Sequence, residues 1–95
     1  MGFVDKLLRR KKVDPDARRR HLMQFGRITD GVILDSQING NGEEVVFYIY
    51  TLNGVDLESS EVLTEEQRQN PAKYAPGAKV AIRYDQRNQG NSIVE

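Results

Sequence analysis

The sequence predicts an α+β fold in which N-terminal helical segments precede a small, strongly bent five-stranded antiparallel sheet or partly open barrel. Apolar residues recur at helical spacing within residues 1–24. Residues 25–95 instead alternate apolar and polar side chains in short runs that are separated by turn residues. We therefore divide the chain into a basic helical N-terminal segment, residues 1–24, and a small β-barrel-like domain, residues 25–95.

The N-terminal segment contains two helical patterns. The first pattern places four apolar side chains on one helical face: Phe3, Val4, Leu7 and Leu8. In the second, Asp14 is the capping residue, Pro15 suits the first helical position and Gly26 ends the helix. A helix of about ten residues is marginal in water by itself. We therefore expect the first helix to need a surface that binds its apolar face.

The first predicted strand begins at Arg27. Ile28, Val32 and Leu34 share one face of this strand, and we assign that face to the core. Gly31 interrupts the run, which is typical of a β-bulge. The Asn-Gly repeat at residues 39–42 then predicts a turn.

A β-hairpin built on Asn53-Gly54 is the strongest local signal. Asn-Gly is favoured in two-residue hairpin loops because both central residues need a positive φ. The loop length pairs Leu52 with Val55 and fixes which side chains share a face. We assign the face with Tyr48, Tyr50, Leu52, Val55 and Leu57 to the core.

Phe47 and Ile49 lie on the opposite face of this hairpin, among polar neighbours. Apolar side chains in such a position need a cover. We expect an N-terminal helix, a protein partner or a second copy of the chain in a homo-oligomer to cover them.

The remaining predicted elements are short. Residues 64–67 match a capping box, and Pro71 limits the helix that follows. Val80, Ile82 and Tyr84 alternate along a half-buried strand, and residues 92–94 form the last strand. We expect the best-buried side chains to be Leu34, Tyr50, Leu57, Val80 and Ile82.

Composition limits the classes of function. The chain has 95 residues and no cysteine, so we expect one domain without disulfides or thiolate chemistry. No apolar run reaches the roughly 20 residues of a membrane-spanning helix. The N-terminus also lacks the apolar core of a signal peptide. We expect a cytoplasmic protein, either free or peripheral to the inner face of the membrane.

Charge is unevenly distributed although the net charge is zero. Residues 1–24 hold eight Lys or Arg against three Asp, a net charge of +5, and the remaining residues carry −5. Such asymmetry is typical of a basic tail that has its own role or that docks on its own acidic domain.

Two motifs connect the strand region to a known family. The pattern Tyr-x-Tyr-x-apolar-x-Gly occupies residues 48–54. The pattern Tyr-x-x-Gly-x-x-Val-x-Val-x-Tyr-Asp occupies residues 74–85, with Ile82 at the second valine position. On these motifs the chain resembles a bacterial domain-of-unknown-function family of small β-barrels that often lie beside membrane helices. The resemblance implies a barrel fold and brings no catalytic residues.

The sequence contains no catalytic or metal-binding motif. His21 is the only histidine, and no second imidazole or thiol completes a metal site with it. The polar loop at residues 35–44 holds too few carboxylates for a Ca²⁺ site, and no serine lies in a nucleophile-like context. We expect a protein that is not an enzyme and that uses no cofactor or metal.

The basic N-terminal residues are the best candidate site. An apolar stripe beside a run of cations suits an anionic membrane surface or a protein partner. The predicted contact residues are Phe3, Lys6, Leu7, Leu8, Arg9, Arg10, Lys11 and Lys12. We therefore predict a non-enzymatic interaction module.

Two alternatives stay open. In a single-stranded nucleic-acid-binding small barrel, the tyrosines would stack on bases and the cations would contact phosphates. In a purely structural reading, the N-terminal segment is a solvated tail, or it closes the barrel over Phe47 and Ile49.

Overall fold

The helices and strands occur in the predicted order. The computed structural model describes residues 15–95. Its elements are helix α1 (Pro15–Phe25), strand β1 (Arg27–Ile38), strand β2 (Glu44–Leu52), strand β3 (Val55–Val62), helix α2 (Glu65–Arg68), a 3-10 helix (Pro71–Tyr74), strand β4 (Lys79–Tyr84) and strand β5 (Ser92–Val94). The first predicted helical pattern and the capping residue Asp14 lie outside the described residues.

The five strands form one antiparallel sheet in the order β3-β2-β1-β4-β5. The sheet curls into a half-barrel, and its two edge strands, β3 and β5, contact each other. The predicted bent five-stranded antiparallel sheet is therefore confirmed. The helical part of the described residues consists of α1 and the single turn α2.

Helix α1 ends where the sequence predicts. The backbone N–H of Gly26 donates to the carbonyl oxygen of Leu22 at 2.8 Å, and β1 begins at the next residue. Leu22 is buried, as is Ile93 of β5, and the helix contacts β4 and β5. Neither α1 nor α2, the α-helices of the described residues, is long and apolar enough to cross a membrane.

The Asn53-Gly54 hairpin has the predicted register. Leu52 pairs with Val55 across the turn. Asn53 has a φ of 52° and Gly54 a φ of 79°, which are the positive values that a type I′ turn requires at both central positions.

The predicted core face of β1 is wrong. The side chains assigned to it are exposed: Ile28, Val32 and Leu34. Gly31 and Ile33 take the core side instead, because they pair with Tyr50 and Tyr48, whose rings are buried in the core. Residues paired directly across antiparallel strands share a face, so the neighbouring strand decides the orientation of β1.

The predicted bulge is also displaced. The register between β1 and β2 shifts between Ile33 and Asp35, so the irregularity lies at Leu34 and not at Gly31. Gly31 is regularly paired on both sides of β1.

Gly31 serves a different purpose, namely the close approach of neighbouring groups. A Cβ atom at this position would lie 2.6 Å from Cγ1 of Ile82 and 2.8 Å from the carbonyl oxygen of Ile49. Ordinary contacts between carbon atoms are about 3.5–4.0 Å. The side chain of Ile82 therefore fills the space that a side chain at residue 31 would need.

The core lies inside the curled sheet. Its buried apolar members are Ile33, Val46, Tyr48, Tyr50, Leu52, Leu63, Tyr74, Val80, Ile82 and Val94. The predicted burial of Tyr50, Val80 and Ile82 is confirmed. Leu57 is half-buried, and the prediction for Leu34 is wrong because the bulge leaves its side chain in solvent.

The predicted capping box is confirmed at the start of α2. The hydroxyl of Thr64 accepts from the backbone N–H of Gln67 at 3.1 Å, and the side chain of Gln67 accepts from the backbone N–H of Thr64 at 3.0 Å. Gln67 is buried and also donates from Nε2 to the carbonyl oxygen of Val94 at 2.9 Å. The cap therefore ties the β3–β4 connection to strand β5.

Candidate functional site

The residues predicted to contact a membrane or partner all lie outside the part of the chain that the structure describes. They are Phe3, Lys6, Leu7, Leu8, Arg9, Arg10, Lys11 and Lys12. The described residues show instead where this segment joins the domain, which is the first turn of α1.

Two arginines of α1 attach the helix to the edge strand β5. Arg18 donates from Nε to Oδ1 of Asn91 at 2.8 Å and from Nη2 to the carbonyl oxygen of Ser92 at 2.5 Å. Arg19 donates from Nη1 to the carbonyl oxygen of Val94 at 2.8 Å. Arg18 and Arg19, which the charge count places in the basic segment, therefore bond to the sheet and fix the position of the helix.

Glu61 of β3 completes this attachment and joins the two edge strands. One carboxylate oxygen accepts from Nη1 of Arg19 at 3.2 Å, and the other accepts from the backbone N–H of Val94 at 3.0 Å. Burial raises the pKa of Glu61 above its usual value, although the Val94 N–H and the neighbouring arginines act in the opposite direction. Perturbed carboxylates occur at functional sites and in structural ion pairs, and the partners of Glu61 assign it to closure of the barrel.

Sequence reasoning missed this network, although one signal of it was available. Glu61 lies four residues after Leu57 in a strand, so the two side chains share the face assigned to the core. A charge on a core face needs a partner, because an unpaired buried charge is strongly unfavourable. The identity of the partner, Arg19, depends on how α1 packs and is not local information.

The side of the sheet opposite the core carries an apolar stripe that solvent reaches. We call it the outer face, and it consists of Val32, Val45, Phe47, Ile49 and Val62. Val32 pairs with Ile49, and Val45 pairs with Val62, so these side chains share one face. Val32 is 36% and Val62 40% exposed, and the other three are half-buried. Exposed apolar patches mark interaction sites when they are contiguous.

Acidic side chains flank the outer face on both sides. Asp35 of β1 pairs with Phe47, and Glu58 of β3 pairs with Ile49. Both carboxylates are exposed. Residues 15–95 hold nine Lys or Arg against twelve Asp or Glu, a net charge of −3. Lys79 of β4 is an exposed cation at the border of the same face, but the two carboxylates and the net charge of the described residues favour a basic ligand over an acidic one.

A groove connects the first turn of α1 with the outer face. Its volume is about 490 Å³, and its lining includes Asp16 and Arg19 from the helix and Val45, Ser60 and Val62 from the sheet. The first turn of α1 therefore lies near the Val45–Val62 end of the outer face.

The tyrosines considered as a platform for bases belong mostly to the core. Tyr48, Tyr50 and Tyr74 are buried, and Tyr84 is half-buried. The rings of Tyr48 and Tyr50 are stacked with their centroids 6.0 Å apart. The hydroxyl of Tyr48 shares a hydrogen bond with Oγ of Ser92 at 2.8 Å, and burial raises the pKa of that phenol. These rings pack against each other and offer no open face for stacking.

The polar residues considered for metal binding have other contacts. His21 is exposed, and its ring centroid lies 5.1 Å from that of Phe25. Oδ1 of Asn39 accepts from the backbone N–H groups of Asn41 and Glu43, which shapes the β1–β2 turn. Within residues 15–95, no group of three or more His, Asp or Glu is placed to hold a metal ion. That the protein is not an enzyme and uses no cofactor stays a prediction.

Comparison with known proteins points to a family for the sheet. The family model described as "Domain of unknown function (DUF3592)" matches residues 26–95. No curated protein and no solved structure matches the chain. The matched range begins at the end of α1 and contains all five strands together with both motifs that the sequence analysis used. Arg18 and Arg19, which hold α1 on the sheet, lie outside it.

Proposed function

This chain belongs to the DUF3592 family of domains of unknown function, and we propose that it is a non-enzymatic interaction module whose basic N-terminal segment contacts an anionic membrane surface or a protein partner. Of these two we argue for the membrane first. The protein would then act in the cytoplasm, at the inner face of the membrane.

The attachment of α1 to the sheet is the observation that carries this proposal. Arg18 and Arg19 bond to β5 and Leu22 is buried, so the helix has a fixed position. The first turn of α1, to which residues 1–14 are joined, therefore has a fixed position near the outer face. Those 14 residues hold five Lys or Arg against two Asp, a net charge of +3 that does not include the two arginines bonded to the sheet.

An anionic bilayer would stabilise this segment in two ways. Each Lys or Arg near the lipid surface contributes about 1 kcal/mol at ordinary ionic strength. The apolar side chains of Phe3, Leu7 and Leu8 would gain a partly apolar phase, which an isolated short helix lacks in water. An acidic groove on a partner protein would bind the same cations and apolar side chains. Failure to bind vesicles would therefore favour a protein partner.

Vesicle sedimentation with the full chain tests the proposal. We expect binding to vesicles that contain anionic lipid, weak binding to purely zwitterionic vesicles and loss of binding at high salt, since surface charges are then screened. Helix content measured by circular dichroism should rise on binding. Reversal of four cations to Glu should abolish binding: Arg9, Arg10, Lys11 and Lys12.

A matched control separates the segment from net charge. Four exposed cations of the described domain that lie away from the outer face can be reversed to Glu with the same change in net charge: Arg27, Arg68, Lys73 and Arg87. This control should keep most of the vesicle binding. Equal loss in both variants, or no gain of helix on anionic vesicles, contradicts the membrane proposal.

The single-stranded nucleic-acid module is the alternative. It needs accessible aromatic rings for stacking, whereas Tyr48, Tyr50 and Tyr74 are buried. The phosphate contacts of the basic segment and the exposed ring of Phe25 would remain. Oligonucleotide binding that is tighter than vesicle binding and falls steeply with salt would favour this alternative.

A further inference from the structure

We propose that the outer face binds residues 3–8 of the same chain, so that the N-terminal segment rests on the sheet until a membrane competes for it. The apolar stripe of Phe3, Val4, Leu7 and Leu8 would contact Val45, Phe47, Ile49 and Val62. The competition rests on the proposed function, whereas the docking itself does not.

The point of attachment makes this contact geometrically accessible. The groove beside Asp16 places the first turn of α1 next to Val45 and Val62. The seven Cα–Cα steps from Leu8 to Pro15 span up to about 25 Å when the chain is extended. Strand β2 advances about 14 Å from Val45 to Ile49. The stripe can therefore reach any part of the outer face along β2.

The dimensions of the stripe also match the surface. In a helix, Phe3 and Leu7 are separated by a rise of about 6 Å. Phe47 and Ile49, which lie on the same face of β2, are about 7 Å apart along the strand. One helical turn of the segment can therefore place an apolar side chain over each of them.

Charge complementarity supports the same occupant. The segment before α1 carries +3, and residues 15–95 carry −3. Asp35 and Glu58 flank the outer face on either side of β2. The cations that follow the apolar stripe, residues 9–12, would lie near this acidic border when the stripe is docked.

A second copy of the chain suits this surface less well. A stable interface buries about 800 Å² on each partner, so a second copy would have to cover more than the five outer-face side chains, for example Ile28, which is 57% exposed on the same side of β1 as Val32. A short tether also gives the attached segment an effective concentration in the millimolar range. At micromolar protein concentration the intramolecular contact is therefore favoured.

Nuclear Overhauser effects measured on the full chain in solution test the docking directly. We expect contacts between the methyl groups of Leu7 or Leu8 and the Phe47 ring or the Ile49 methyl groups. The double variant Phe3→Ser, Leu7→Ser should lose these contacts and shift the amide resonances of the outer face, while the resonances of the core stay unchanged.

A substitution on the sheet tests the competition. Ile49→Asp should release the segment, and Val55→Asp is the matched control because Val55 is 58% exposed and lies at the hairpin turn, outside the outer face. If the docked form is about 90% populated, release raises the apparent affinity for anionic vesicles about tenfold. Val55→Asp should leave the affinity unchanged. If Ile49→Asp does not fold, the comparison of the wild type with the Phe3→Ser, Leu7→Ser variant is sufficient to test the docking.

The outcomes distinguish this inference from the proposed function. Docking contacts without vesicle binding by the wild type or by Ile49→Asp support the inference and contradict the membrane proposal. Vesicle binding without docking contacts, and with equal affinity in both Asp variants, overturns the inference and leaves the proposed function intact. Resonances of the outer face that shift with protein concentration, without intramolecular contacts, assign the surface to a second copy and also overturn the inference.

Discussion

Replacement of Gly31 by alanine introduces a methyl group where two neighbouring groups already lie. The new Cβ would be 2.6 Å from Cγ1 of Ile82 and 2.8 Å from the carbonyl oxygen of Ile49. The first distance is about 1 Å shorter than an ordinary carbon–carbon contact. The second involves a main-chain atom of a paired strand, which cannot move without disturbing the sheet.

The expected loss of stability follows from these contacts. Overpacking a core costs about 1–3 kcal/mol, and the reduced freedom of the unfolded chain offsets about 0.4–1 kcal/mol of it. We expect Gly31→Ala to lower the free energy of unfolding by about 1–2 kcal/mol. In a domain of this size each kcal/mol lowers Tm by about 4–8 °C.

Urea unfolding of a small set of variants measures the effect and its cause. Gly40→Ala is the matched control, because no atom lies within 4 Å of a Cβ at that position. Ile82→Ala alone should cost about 2–5 kcal/mol, since Ile82 is fully buried. The double variant Gly31→Ala, Ile82→Ala should lose about 0.5–3 kcal/mol less stability than the sum of the two single losses, because the new methyl group enters the space that the Ile82 side chain vacates.

Two results would refute this reasoning. If Gly31→Ala is as stable as Gly40→Ala, β1 and β4 have more freedom to separate than the distances imply. If the effects of Gly31→Ala and Ile82→Ala simply add, the side chain of Ile82 is not what excludes a residue larger than glycine.

Further predictions concern the turn, the barrel closure and α1. Gly54→Val should lower the free energy of unfolding by about 1–3 kcal/mol, because it forces a β-branched residue to a φ of 79°; wild-type thermal stability would contradict it. The pKa of Glu61 is raised in the folded state, so the folded protein binds the proton more tightly, and stability should fall as pH rises from about 4.5 to the folded pKa. In urea unfolding between pH 4 and 7, the free energy of unfolding of Glu61→Gln should lack this decrease with pH. If the wild type instead becomes more stable relative to Glu61→Gln as pH rises, the Arg19 contact dominates. Leu22→Ala should cost about 2–5 kcal/mol in chemical unfolding, since Leu22 is buried between α1 and the sheet; a loss below 1 kcal/mol would mean that α1 is only loosely attached.

The sequence by itself determined the elements whose cause is local. Asn53-Gly54 requires a turn with positive φ at both positions, and this turn fixes the register of the whole β2–β3 hairpin. The capping box at Thr64 depends on residues three positions apart. The alternation of Val80 and Ile82 likewise sufficed to place both in the core. For the turn and the cap, the determining contacts lie within a few residues of one another along the chain.

The orientation of β1 was decided only by the tertiary structure. Its outward side carries the apolar residues Ile28, Val32 and Leu34, whereas its inward side offers Ile33 and a glycine. Alternation alone therefore indicates the wrong face. The correct face follows from pairing with the buried tyrosines of β2 and from Ile82, which fills the space above Gly31.

The roles of the charged residues were decided in the same way. A charge count assigns Arg18 and Arg19 to a basic tail, but the fold brings them to β5 and to Glu61, more than 40 residues away along the chain. Whether a cation bonds to the sheet or stays available for a membrane depends on which groups the packing of α1 places beside it. The sequence records the number and order of these charges, whereas their partners are brought together only once the sheet has curled and the helix packs against β4 and β5.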